Sequence, residues 1–184
     1  MKQPFARAAL AASLAVGFAA FADHGTLDHS DARFIEKAAA GGRAEVELGK
    51  LAQQKAMRAE VKEFATRMVE DHSKANAELE KIAAANNVTL PGDLDRKTRR
   101  EIDRLSKRVG GDFDREYMKH MVRDHKEDVE DFRKEAKSRR EGEVKSFAQE
   151  TLPTLEEHLA MAEKTYDITE AIKRSGNRVV GSTR

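Results

Sequence analysis

The segment Glu60-Val61-Lys62-Glu63-Phe64-Ala65 returns 83 positions later as Glu143-Val144-Lys145-Ser146-Phe147-Ala148. At the same offset Glu45-Val46-Glu47 returns as Asp128-Val129-Glu130. Val69-Glu70-Asp71-His72 returns as Leu155-Glu156-Glu157-His158, once three extra residues are allowed near Thr151-Leu152-Pro153. An internal repeat on this scale makes the chain two similar units, and each unit must bury its apolar face against the other.

Each unit reads as a pair of helices. From Asp31 to about Met57, Phe34, Ile35, Ala38, Leu48, Ala52 and Ala56 recur at helical spacing, with Ser30 or Asp31 as the expected N-cap. After a turn near Arg58-Ala59 the stripe resumes as Val61, Phe64, Met68, Leu79 and Ile82, ending at Asn86-Asn87. Leu90-Pro91-Gly92 breaks the chain, residues 93–108 predict a short helix, and Gly110-Gly111 stop it. The second unit carries Phe113, Tyr117, Met121, Val129 and Phe132, then a turn near Glu141-Gly142, then Val144, Phe147, Leu155, Leu159 and Ala162. Pro153 lies on this fourth stripe, either inside a helix it would kink or in the first turn of one starting at Thr151. The expected fold is all-α: a ferritin-like four-helix bundle made of two helical hairpins joined by a long crossover that carries a short helix.

Composition agrees, and it narrows function. Aromatics make up 5% of the chain and Trp is absent, while Gly and Pro number only 11 and 3, which excludes an all-β fold. Cysteine is absent, so thiolate catalysis, disulfides and sulfur-ligated metal sites are excluded. The 34 basic and 33 acidic residues are interspersed without a basic block, so no nucleic-acid partner is expected. The Met residues at 68, 118, 121 and 161 are expected as core filling rather than thioether ligands.

The first 22 residues form a signal peptide by pattern: Lys2 and Arg7, an apolar run from Ala8 to Phe18, then Ala20-Phe21-Ala22. That run is too short for a bilayer span. Residues 23–30 are an expected linker, 31–172 the bundle and 173–184 a flexible tail. With cleavage after Ala22, no lipid-anchor Cys and no later apolar span, the expectation is a periplasmic or otherwise exported protein. Its mature net charge is −1, because cleavage removes Lys2 and Arg7 from a chain of net charge +1.

The stripes are interrupted at matching places. Glu45 falls on the apolar stripe of the first helix, His72 on the second, His125 and Asp128 on the third, and His158 on the fourth. Glu45 and His72 are each about 13.5 residues from the first turn. His125 and His158 are each about 16.5 from the second, and Asp128 about 13.5. The three-residue difference is roughly 4.5 Å, under one helical turn, so five ionisable groups are expected in one core layer. Burying them is unfavourable unless they pair or bind an ion. Three imidazoles and two carboxylates suit a single transition-metal ion, with Zn, Fe, Mn, Cu and Ni all compatible. Asp71, Asp124 and Glu157 each immediately precede a histidine on the chain, and either orient a histidine on the next helix or serve as surface charge. His24 and His29 read as part of the N-terminal linker, and His120 carries no expected role.

The segments around Ala44–Ala52, Met68–Asn76, Met121–Lys126 and Thr151–Leu159 resemble a family of exported bacterial proteins of unknown function, often labelled outer membrane proteins. The resemblance covers about residues 31–168 and implies a ferritin-like bundle in the cell envelope, but no activity. In the wider ferritin-like superfamily two Glu-x-x-His motifs supply bridging carboxylates. Here Val69 and Leu155 stand at those Glu positions. A di-iron oxidase is therefore disfavoured, and no substrate or reaction is identifiable. Two readings remain: a metal-binding protein for buffering or stress protection, and a metal-free structural or interaction module of the envelope. A homo-oligomer is compatible with either, and no protein partner is specified.

Overall fold

A computed structural model describes residues 27–181. The expected signal segment, residues 1–22, and His24 lie outside the described residues. Five helices and no strands occur among them: α1 His29–Lys55, α2 Ala59–Ala85, α3 Arg96–Ser106, α4 Gly110–Ala136 and α5 Glu143–Gly181. The chain is all-α, as expected. Helix α1 lies along α2 and α4 along α5, while α2 meets α5 and α1 meets α4 across the two pairs. The connecting helix α3 rests on α1 and α4. None of the described helices is long and apolar enough to cross a membrane.

Several boundaries differ from the sequence expectation, each for a local reason. The N-cap of α1 is Asp28, whose carboxylate accepts the Ser30 amide at 2.8 Å, rather than Ser30 or Asp31. Asp31 instead accepts from the Arg140 guanidinium at 2.7 Å and fastens α1 to the turn before α5. Gly110 and Gly111 open α4 instead of closing α3, with Gly110 at a left-handed φ of +56°. Helix α5 is continuous through Pro153 and runs to Gly181, into the segment expected as a tail. The end of α2 falls at Asn86, with Asn87 at φ +56°, as expected.

The core has two apolar halves. Leu48, Phe64, Met68, Tyr117, Met121 and Ala162 belong to one. Ile35, Leu79, Val129, Phe132, Phe147 and Leu155 belong to the other. On every long helix the boundary between them falls at a polar residue: Glu45, His72, His125 and His158. Met68, Met118 and Met121 are fully buried in the first half, as core filling.

Candidate metal centre

Helical spacing puts each polar residue on the inward face. His72 follows Met68 by one turn, His125 follows Met121, and His158 precedes Ala162. Because the neighbouring turns are buried too, the imidazoles sit inside the bundle. His125 and His158 are fully buried, and Glu45 and His72 are 2% and 6% exposed. The three ring centroids form a near-equilateral triangle, with sides of 5.7, 5.4 and 5.5 Å. One ring nitrogen from each lies within 4.8 Å of the others, a spacing that can hold one metal ion.

Each ring has one nitrogen occupied. His72 Nδ1 lies 3.0 Å from Glu45 Oε2. His125 Nδ1 donates to the Met121 carbonyl at 3.0 Å and lies 3.3 Å from Glu45 Oε1. His158 Nε2 lies 3.0 Å from Asp71 Oδ2. A carbonyl and two carboxylates can only accept, so these nitrogens carry the protons. The opposite nitrogens, His72 Nε2, His125 Nε2 and His158 Nδ1, are buried without a hydrogen-bond partner. Leaving three buried polar atoms unpaired is unfavourable, and a metal ion shared by these closely spaced rings would give them a common use. A proton held on the far side, with a lone pair turned inward, is how metal-ligating histidines are prepared.

The electrostatics distinguish the three rings. Burial pushes His158 down to about 4, and the charges of His72 and His125 add to that against the bond from Asp71. Burial likewise lowers His125, with Glu45 opposing. Burial works against the charged form of His72 too, but the adjacent Glu45 carboxylate outweighs it and raises this ring above the ordinary imidazole value. Burial would raise Glu45, yet the surrounding imidazoles bring it down to about 2. The layer thus holds a carboxylate anion, one ring that readily takes a proton and two that resist it.

Four of the five candidate ligands from the sequence come together, with a change of role for one. Glu45 lies on the proton-bearing side of His72 and His125, so it orients the rings rather than sharing their inward face. The metal-spaced group among the described residues contains the three histidines without Glu45 or Asp128, and of these two carboxylates it is Glu45 that pairs with the rings. Asp128 sits one turn beyond His125, on the wall of a small cavity beside Glu45, where burial and the Glu45 charge hold its carboxyl well above the usual range.

Of the residues left with two readings, Asp71 orients a histidine on the facing hairpin. Asp124 reaches His120 on its own helix at 3.4 Å, and Glu157 pairs with Arg67 at 3.0 Å near the surface. His120, without an expected role, is buried between Glu101, Arg123 and Asp124. Sequence reasoning missed Asp114, whose two carboxylate oxygens accept the Met57 and Arg58 amides at 3.0 Å and fasten the α1–α2 turn to α4. It also missed Asn76, one turn past His72, which is 8% exposed with Oδ1 unpartnered.

A family model described as a domain of unknown function, DUF4142, matches residues 17–165. The chain belongs to that family. Its fold is similar to a crystal structure of a DUF305 fragment from Deinococcus radiodurans, with a TM-score of 0.68 at 13% sequence identity, over 77% of this chain and 98% of that one. At that identity the likeness concerns the fold alone. No curated protein matches the chain.

Proposed function

We propose that this protein is an exported, ferritin-like four-helix bundle that holds one transition-metal ion on His72, His125 and His158, serving metal buffering or stress protection in the cell envelope. The observation that carries this reading is the set of three buried, unpartnered imidazole nitrogens, each on a ring whose other nitrogen is engaged. Three imidazoles without sulfur, once His72 gives up any proton to the ion, favour Zn, Cu or Ni over Mn or Fe by the general order of affinities, and a three-histidine set with a further position left to water is a familiar zinc arrangement. Export rests on Lys2, Arg7, the apolar run and Ala20-Phe21-Ala22. The missing bridging carboxylates at Val69 and Leu155, together with Asp128 lying outside the cluster, argue for one ion rather than two.

Zinc titrated calorimetrically into metal-stripped protein is the test. One ion per chain is expected, and binding lost in the His72→Ala/His158→Ala double variant. Failure of the unaltered protein to bind Zn, Cu or Ni would leave the metal-free envelope module as the reading.

A further inference from the structure

An ion bound at full burial needs a way in. Two spaces adjoin at Asn76, one open to the surface and one against the histidine layer. The outer is an open groove of about 470 Å³ between α1, α2 and the segment leading to α3, lined by Arg43, Val46, Ser73, Asn76, Ala77 and Leu94 among others. The inner is a cavity of about 20 Å³ against the metal layer, with Gly42, Glu45, His72, Asn76 and Asp128 in its wall. That volume is enough for about one water-sized guest. Asn76 is the residue common to both linings.

Its surroundings suit a movable partition. Asn76 Oδ1 has no hydrogen-bond partner, so no bond has to break when the side chain turns. Facing it on α1 is Gly42, where a Cβ would lie 2.5 Å from Asn76 Oδ1. The absent side chain is therefore what leaves the amide its place between the two helices. Asn76 is also one turn from His72 on the same face of α2. An ion passing the amide enters a space whose wall includes Glu45 and His72.

We propose that Asn76 is a gate, turning against Gly42 to pass a dehydrating metal cation from the surface groove to the three histidines. The gate rests on the metal-binding reading above, but it makes a separate claim about rates. A partition that changes neither end state alters loading and release by the same factor, so affinity is untouched. Zn2+ is the probe: uptake by the metal-stripped full chain is followed by stopped flow against a fluorescent zinc indicator, and release by transfer to an excess of chromogenic chelator.

Asn76→Ala is expected to speed both rates, and Gly42→Ala, which crowds the amide, to slow both by about tenfold, each with an unchanged dissociation constant. The two variants shift rates in opposite directions, so poor folding of Gly42→Ala still leaves Asn76→Ala to decide. Wild-type rates in Asn76→Ala overturn the gate and leave the metal site standing. A weakened affinity in Asn76→Ala also overturns it, by making Asn76 part of the binding site. If the unaltered chain takes up no Zn2+, the metal reading falls and the gate with it.

Discussion

Asp71 on α2 accepts from His158 Nε2 on α5 at 3.0 Å, so the orientation of the α5 imidazole is set by the opposite hairpin. Asp71 is itself held by Arg67 at 3.5 Å and Lys74 at 3.6 Å on its own helix. The contact fixes which nitrogen of His158 carries the proton, and leaves Nδ1 with the free lone pair. Replacing Asp71 by Ala removes the acceptor without touching any proposed ligand. Zinc affinity should fall by about 10- to 100-fold, the usual consequence of losing a partner that orients a metal-bound histidine. Calorimetry on the Asp71→Ala variant checks it, and unchanged affinity would mean that packing holds the ring without the carboxylate.

Glu45 and His72 are coupled in a way that depends on both being present. The pair is almost wholly buried, and Glu45 also faces His125 Nδ1. Removing the imidazole alone strands a carboxylate in the core. His72→Leu in the metal-free protein should therefore lose about 3–5 kcal/mol of stability. The Glu45→Leu/His72→Leu double variant should recover much of that, because it leaves less uncompensated charge. A double-mutant cycle by urea denaturation measures the difference, and strictly additive losses would show that the two residues do not interact energetically.

How far the sequence revealed this arrangement depends on which geometry decides each part. The stripes and the repeat are set by helical period and by burial along one axis, and the paired helices and the common height of Glu45, His72, His125 and His158 follow from them. The side of each ring that faces inward is different. It depends on Asp71 reaching across from α2 and on the Met121 carbonyl one turn back, neither of which leaves a mark in hydrophobic spacing. Asp128 shows the limit most clearly. It matches Glu45 in the repeat and shares a cavity wall with Glu45 and His72, yet one turn past His125 it is no part of the metal-spaced group. Asp114 escaped notice because its partners are backbone amides of a turn, and those carry no sequence signature.

That turn supports a prediction independent of any metal. The carboxylate of Asp114 is fully buried and accepts both the Met57 and Arg58 amides, in place of a side-chain cap at the start of α2. Asp114→Ala leaves two amides without acceptors at the junction of α1 and α2. The expected loss is about 1–3 kcal/mol in urea denaturation, with zinc affinity of the folded protein unaltered. A variant as stable as the parent would show that water replaces the carboxylate at this turn.

Acid should reveal His158 through its own deletion. Burial and the neighbouring rings take its pKa from 6.5 down to about 4 in the folded metal-free protein, so between these values the unfolded chain binds a proton that the folded one refuses. The sign follows: the neutral ring's contribution is complete above pH 6.5, and declines as pH falls toward 4. Other groups in the layer titrate too, with His72 and Asp128 raised and His125 lowered, so the whole-protein slope mixes opposing effects. The difference between the parent and His158→Gln removes those shared contributions. Relative to the variant, the parent should lose up to about 1.4 kcal/mol per pH unit across that window, and nothing further above 6.5. Urea midpoints at half-unit steps from pH 4 to 8 test it, and a difference that stays flat through the window would place the His158 ring in contact with water.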